Sequence, residues 1–203
     1  MMKICKRFVV LFIAAMLALP VGAQADDGAK EVVQGLCGRL LTVMKQSQQL
    51  GFQGRVEKLT KVVVEAYDMP AATKATLGVA YGKLSAEEAQ QLTDLFSRFS
   101  VYSYAEQFDG WDGETFEVGE PKPSTEGSLI VPSRIVLKNG QATEIDYLLH
   151  QDAGRWKIID VLLDGTISQT AVRRSEFVSI FRRDGFPGLS AMLTQKMSAM
   201  GSK

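Results

Sequence analysis

Few side chains in this sequence could carry out metal or acid–base chemistry. The chain has one histidine, His150, and two cysteines, whereas the common zinc sites need three or four Cys, His or carboxylate ligands. His150 ends an alternating segment on its polar side, so a solvated surface histidine is favoured over a catalytic one. Cys37 lies on an apolar helical face, which is typical of a buried structural thiol. The sequence therefore predicts no metal site and no cofactor.

A carboxylate inside an apolar segment is the main candidate for catalysis. Asp160 interrupts segment 158–163 and could act as a buried general base in a conical α+β pocket, with Tyr147 or Tyr102 as its partner. Alternatively, it accepts hydrogen bonds from a backbone amide or a tyrosine hydroxyl, and we favour this structural interpretation. The sequence contains neither a G-x-S-x-G motif nor a G-x-x-x-x-G-K-S/T phosphate loop. A small-molecule isomerase or hydrolase is thus the alternative to a protein without catalysis.

Composition and charge indicate one globular domain. The 203 residues are 46% hydrophobic and 23% charged, which is enough to bury a sizeable core. The 23 basic residues balance the 23 acidic ones, so no cationic field points to nucleic acid as a partner.

The N-terminal segment has the features of a secretory signal peptide. Three basic residues precede an apolar run at 8–19 and a small-x-small motif that ends at Ala25. The run is shorter than the ~20 residues that a membrane-spanning helix needs. We therefore expect residues 1–25 to be cleaved, leaving a single mature domain of residues 26–203 in the periplasm.

Apolar residues at three- and four-residue spacing predict helices at both ends of the mature chain. Ser85 and Glu88 have the spacing of a capping box, which predicts the start of a long helix. The expected helices cover 31–50, 54–67, 71–80, the segment from 85 to 102, a helix that ends at Gly185, and a last helix that begins at Pro187.

Between these helices, alternating residues predict four strands. Pro132 predicts a bulge or an edge in the second strand, and Asn139-Gly140 predicts a hairpin turn after it. The last strand is almost entirely apolar, so we expect it to be central. The expected strands cover 116–118, 129–137, 141–150 and 155–163. The predicted fold class is α+β, with a four-stranded, mostly antiparallel twisted sheet clasped by about six helices.

A large set of apolar side chains on the predicted helices and strands faces the space between them. A close-packed core and an incompletely filled cavity have the same sequence pattern, so both interpretations stay open. The candidates for lining such a cavity are Val62, Val63, Leu77, Leu92, Phe96, Phe99, Tyr102, Ile135, Ile145, Tyr147, Leu149, Trp156, Ile158, Phe177 and Phe181.

Short motifs follow one another in a fixed order between residues 56 and 196. They are Leu77-Gly78, Leu84-Ser85-x-x-Glu88, Phe96-x-x-Phe99, Trp156-x-x-x-Asp160, Asp164-Gly165, Glu176-Phe177, Gly185 and Leu189-x-x-x-Leu193-x-x-Lys196. In this order and spacing they resemble the MlaC family of periplasmic phospholipid-binding proteins, also known as toluene-tolerance auxiliary proteins. Segment 165–177 is most similar to the HpnM branch, which is associated with hopanoid biosynthesis.

The resemblance implies helices that clasp a twisted sheet around a cavity for acyl chains, and no catalytic residues. It further implies a carrier that shuttles phospholipid or hopanoid-type lipid between an inner-membrane transport complex and an outer-membrane lipoprotein complex, with a role in outer-membrane lipid asymmetry. Because a lipid headgroup need not enter the cavity, we expect no dedicated polar recognition inside it.

Two adjacent arginines are candidates for docking to a partner or to lipid headgroups. Arg173 and Arg174 cannot both share the helical direction of Phe177 and Ile180, so at least one is expected to face solvent. An exposed guanidinium can bind an anionic headgroup or an acidic partner surface. The alternative is an ordinary solvated or salt-bridged surface.

Overall fold

The computed structural model describes residues 22–201, with side chains from residue 27 onward. The predicted signal peptide lies outside the described residues except for its last four, 22–25. The described range contains five α-helices and seven β-strands. The helices are α1 (Gly22–Lys45), α2 (Ser47–Ala66), α3 (Met69–Leu77), α4 (Ala86–Gln107) and α5 (Gln169–Ala199). The strands are β1 (Thr115–Val118), β2 (Lys122–Pro123), β3 (Leu129–Val131), β4 (Ser133–Val136), β5 (Ala142–Asp152), β6 (Arg155–Leu163) and β7 (Ile167–Ser168).

Helix α4 begins with the capping box that the sequence predicts. The Glu88 amide donates to the Ser85 hydroxyl at 3.1 Å, and the Ser85 amide donates to the Glu88 carboxylate at 2.8 Å. Amides at the start of a helix have no partner within the helix, so this reciprocal pair fixes where α4 begins.

Helix α5 is broken at Gly185, as predicted. The φ of this residue is 66°, a left-handed conformation that glycine adopts without steric cost. Pro187 follows, and its ring and missing amide prevent it from continuing the preceding helix. Helix α5 therefore runs as two segments, which accounts for the expectation of about six helices.

The sheet is organised around β5, the longest strand. Strand β6 pairs along one edge of β5, and β7 pairs with the end of β6. The other edge of β5 is shared by β4, which leads to β1, and by β3, which leads to β2. All of these pairings are antiparallel, as the hairpin turns predict.

Two features of the predicted sheet are wrong. The single strand expected over 129–137 is divided at Pro132 into β3 and β4, because proline has no amide to donate to the ladder. The adjacent Ser133 amide donates instead to the Asp146 carboxylate at 3.2 Å. With β2 and β7 this gives seven strands rather than four, and β5 rather than β6 is central.

The helices pack over one face of the sheet. Helix α1 contacts β1, β3 and β6, whereas α3 and α5 contact β6. Helix α2 packs between α1 and α4, and α4 packs in turn against α5. Across the part of the chain with assigned structure, no helix is both long and apolar enough to cross a membrane. The most deeply buried side chains include Leu36, Leu40, Leu59, Leu149, Ile158, Leu189 and Leu193.

Candidate functional site

A cavity of about 100 Å³ lies between the sheet and helices α3, α4 and α5. Strands β5 and β6 form its floor, and α4 supplies one wall. The end of α2 and the first turns of α5 complete it. The lining residues are Tyr67, Met69, Ala72, Phe96, Ser100, Ser103, Tyr104, Gln107, Phe108, Ile145, Tyr147, Ile159, Asp160, Val161, Leu163, Gln169, Thr170 and Arg173.

Three tyrosines bring polar groups into this cavity. The hydroxyl oxygens of Tyr67 and Tyr104 lie 2.5 Å apart, and their rings meet edge to face with centroids 6.2 Å apart. Burial raises the pKa of Tyr104 to about 12, although hydrogen bonds from Tyr67 and Tyr147 oppose the shift. Burial also holds the pKa of Tyr67 and of Tyr147 well above the usual range. All three hydroxyls are therefore neutral at physiological pH and act as hydrogen-bond donors and acceptors.

Cys37 lies beside this tyrosine cluster. Its side chain is 2% exposed, and burial raises the pKa of the thiol to about 12, while a hydrogen bond with Tyr147 opposes the shift. A nucleophilic cysteine needs a thiolate, which this environment disfavours. The prediction of a buried structural thiol is confirmed.

Arg173 points into the cavity from α5. Its Cζ atom lies 5.7 Å from the ring centroid of Phe96 and 5.4 Å from that of Phe99, so the guanidinium makes cation–π contacts with both rings. Burial lowers the pKa of Arg173, and the nearby Tyr67, Tyr104 and Asp160 counteract this effect. The cavity therefore combines apolar walls with a cation and hydroxyl groups.

Asp160 lines the cavity but its carboxylate is occupied. Oδ1 accepts from the amides of Val161 at 2.8 Å and Thr170 at 3.0 Å, and Oδ2 accepts from the Ser168 hydroxyl at 2.5 Å. A carboxylate at the N-terminal end of α5 also interacts favourably with the helix dipole. The structural interpretation of Asp160 expected a backbone amide or a tyrosine hydroxyl as its donor; two backbone amides are found, and the hydroxyl donor is Ser168 rather than a tyrosine.

Three of the predicted cavity residues, Phe96, Ile145 and Tyr147, lie in the cavity lining. Most of the predicted residues on the helical stripes that face the sheet belong to the core instead, where side chains pack against one another at close to crystal density. Core positions are held by Val62, Val63, Leu77, Leu92, Phe99, Leu149, Ile158 and Phe177. Partly buried positions outside the lining are held by Tyr102, Ile135, Trp156 and Phe181.

His150 is not simply solvated. Its Nε2 lies 2.8 Å from Asp68 Oδ2, and its side chain is only 31% exposed. The other oxygen of Asp68 accepts from the Ala71 amide at 2.9 Å and so caps α3. His150 therefore links β5 to the start of α3, which the alternation of β5 alone could not reveal.

The structure separates the two arginines proposed for docking. Arg173 lies in the cavity, whereas Arg174 is exposed and donates to the Ala75 carbonyl through Nε at 3.0 Å and Nη2 at 2.6 Å. Arg174 lines a surface groove between the end of α3 and α5, together with Val79, which is 92% exposed, and Arg182. We call Val79, Arg174 and Arg182 the Val79 groove.

The polar part of the cavity was missed in the sequence, where no polar recognition was expected. One signal for it exists on α4. Ser100, Ser103, Tyr104 and Gln107 recur at three- and four-residue spacing, one turn after Phe96, and so define one helical face. This face lines the cavity. Arg173 and Tyr67 carry no comparable local signal.

Taken together, the fold and the site define an α+β protein with an amphipathic cavity between helices and an antiparallel sheet. The family model described as MlaC protein matches residues 34–195, and the chain belongs to the MlaC family. The HpnM branch stays a prediction.

Two known proteins illustrate the range of this similarity. The toluene tolerance protein ttg2D of Pseudomonas putida is 23% identical over 189 residues, which cover 91% of this chain and 86% of the relative. A phospholipid-binding protein from Ralstonia solanacearum, solved in complex with a phospholipid, aligns with a TM-score of 0.72 at 19% identity. That alignment covers 84% of this chain and 97% of the other and shows a shared fold.

Proposed function

We propose that this protein is a periplasmic lipid-binding carrier that holds acyl chain in the cavity between α4, α5 and the sheet. The observation that carries the proposal is the lining itself, in which Phe96, Phe108, Ile145 and Val161 offer apolar surface to a ligand. Membership of the MlaC family and the phospholipid bound to the Ralstonia protein of the same fold support it.

The physical need for such a carrier follows from the cost of exposing a lipid tail to water. Transfer of apolar chain into water costs ~0.8 kcal/mol per CH₂ group, and so roughly 13 kcal/mol for a 16-carbon chain. A protein that covers the tail removes most of this barrier between two membranes.

The cavity must widen to receive its cargo. Its volume of about 100 Å³ is below the ~300–1,000 Å³ of usual ligand pockets. The side chains or helices around the cavity must therefore move before it can take a whole acyl chain. On α4 the cavity lining includes the small side chains of Ser100 and Ser103.

A role without catalysis fits the geometry better than an isomerase or hydrolase. Three donors take up most of the roughly four acceptor positions of the Asp160 carboxylate and hold it against β6 and the start of α5, which suits a structural role better than that of a general base. Tyr102, the other partner considered, packs its ring against Phe52 at 5.4 Å and lies outside the lining. Within the described residues no cluster of His, Cys, Asp and Glu could hold a metal ion.

Membership of the MlaC family supports a proposal for the cargo and the partners. We propose phospholipid or a hopanoid-type lipid as cargo, carried between an inner-membrane transport complex and an outer-membrane lipoprotein complex. The Val79 groove, with exposed apolar and basic groups, is our candidate for docking to anionic headgroups or an acidic partner surface.

Native mass spectrometry of the gently purified protein tests the carrier function. We expect about one lipid equivalent per chain, released by organic solvent and identified by its mass. Protein that is empty after several mild preparations, and that binds no lipid on titration, would contradict the proposal.

A further inference from the structure

Arg173 is not needed to hold an acyl chain, yet it faces the cavity. In the portion of the chain that the structure covers, its guanidinium makes cation–π contacts with Phe96 and Phe99 but no hydrogen bond or ion pair. A cation that is largely withdrawn from water is costly unless an anion or strong acceptors accompany it. The position of Arg173 therefore requires an explanation beyond apolar packing.

Asp160 is the nearest candidate for that anion, but it is engaged elsewhere. Its two carboxylate oxygens accept from Val161, Thr170 and Ser168 at 2.5–3.0 Å. The charge of Asp160 raises the pKa of Arg173, but the two side chains form no ion pair. The charge of Arg173 is thus left available to a ligand.

The tyrosine pair adds donors next to this charge. Across the 2.5 Å contact between Tyr67 and Tyr104, one hydroxyl donates to the other. Tyr104 is also hydrogen-bonded to Tyr147, so two hydrogen bonds join three hydroxyls, and one hydroxyl hydrogen of the cluster is not used between them. Tyr67 and Tyr104 line the cavity with Arg173. A guanidinium and a neutral phenol together form a donor set for anionic oxygen.

We propose that Arg173, Tyr67 and Tyr104 form an anion-binding site inside the cavity that takes the carboxylate of a long-chain fatty acid. The inference rests on the proposed function, because it requires a cavity that admits acyl chain. The planar guanidinium pairs with a carboxylate through two parallel hydrogen bonds. A fatty-acid carboxylate ends its chain, whereas a phosphodiester carries further polar groups on its far side that would have to be withdrawn from water as well.

Equilibrium dialysis with radiolabelled palmitate and methyl palmitate tests the site, because the two probes differ in the charge of the head. We expect the purified protein to bind palmitate at least tenfold more tightly than the ester. Arg173→Met should lose at least tenfold in palmitate affinity and leave the ester within twofold. Tyr67→Phe should lose about threefold for palmitate only. Arg98→Met, which removes an exposed arginine outside the lining, should change neither affinity.

If Arg173→Met fails to fold, Arg173→Lys replaces it in the test, because it keeps the positive charge. Arg173→Lys should retain part of the preference for palmitate over the ester. Equal affinity of the wild type for both probes would overturn the proposal, as would a preference unchanged in Arg173→Met. Weaker binding of phosphatidylglycerol in Arg173→Met without any palmitate preference would assign the site to phosphate and overturn the carboxylate. Failure of every lipid to bind would instead overturn the proposed function.

Discussion

The hydroxyl oxygens of Tyr67 and Tyr104 lie 2.5 Å apart, and this contact joins the end of α2 to the last turns of α4. Tyr67 follows α2 directly and also forms an isolated parallel bridge with Ile158 of β6. The hydrogen bond between the two hydroxyls therefore lies where the ends of α2 and α4 come close to β6. It places polar groups beside the apolar wall of the cavity.

The pairing predicts coupled losses of stability. Tyr104→Phe leaves the buried Tyr67 hydroxyl without this partner and should lower the free energy of unfolding by ~1–3 kcal/mol. Tyr67→Phe should act in the same way. The double variant should lose clearly less than the sum, because neither hydroxyl is then left without the other. Urea unfolding of the four proteins measures the coupling, and simple additivity would show that the two hydroxyls do not depend on each other.

The raised pKa values predict a loss of stability in alkali. The unfolded chain releases these protons near pH 9.0 for Cys37 and pH 10.0 for Tyr104, whereas burial raises the pKa of both groups to about 12 in the folded chain. Between these values the unfolded state binds fewer protons, so the free energy of unfolding falls as pH rises, by up to ~1.4 kcal/mol per pH unit for each group. Below pH 9 this contribution is fully present.

Unfolding in urea between pH 8 and pH 11 (about the span over which these groups differ) checks this dependence. Tyr104→Phe should flatten the slope, since it removes one of the contributing groups. Tyrosinate absorbance should show the Tyr67, Tyr104 and Tyr147 phenols ionising only together with unfolding. A slope that is the same in Tyr104→Phe would argue against a buried, neutral Tyr104.

Local signals in the sequence predicted local structure well. Ser85 and Glu88 marked the start of α4, Gly185 and Pro187 marked the break in α5, and Asn139-Gly140 marked a hairpin turn. Each of these features depends on contacts within a few residues, so the local sequence is enough to predict it.

The cavity depends on contacts between distant segments and could be predicted only in part. The sequence pattern around Val63 predicts a core position and a cavity-lining position equally well. In the structure Val63 is fully buried in the core. Arg173 lies on a helix whose neighbouring residues gave no reason to expect it inside. Its direction is set by the approach of α5 to Phe96 and Phe99 on α4.

Enlarging one side chain in the cavity and one in the core should separate binding from stability. Ser100→Phe fills the space next to Phe96 and should reduce lipid binding at least tenfold with little change in melting temperature. Val63→Phe adds volume where Val63 is 0% exposed, and should cost ~1–3 kcal/mol of stability. Lipid titration and thermal unfolding of both variants, with Ser100→Ala as the size control, make the comparison. Strong destabilisation by Ser100→Phe would place Ser100 in a close-packed region.

The Val79 groove gives the charge-dependent docking hypothesis a new test. Arg173 is unsuitable for it, because a change there alters the cavity. Arg174 and Arg182 line the groove on the outside of α5 and are exposed. In Arg174→Gln the amide nitrogen takes about the position of the arginine Nε, which donates to the Ala75 carbonyl at 3.0 Å, and this limits damage to the end of α3.

We expect Arg174→Gln with Arg182→Glu to slow lipid delivery to anionic vesicles by about three- to tenfold at low salt, because opposite charges steer the encounter. The effect should shrink at physiological salt, where exposed charges are screened beyond ~8 Å. Bound lipid should stay in place, since neither residue lines the cavity. The control Arg39→Gln with Arg98→Glu makes the same change in net charge at exposed positions on α1 and α4 and should leave the transfer rate near that of the wild type. If both double variants slow transfer equally, the net charge of the protein rather than the groove governs the encounter; if neither does, Arg174 and Arg182 belong to an ordinary solvated surface.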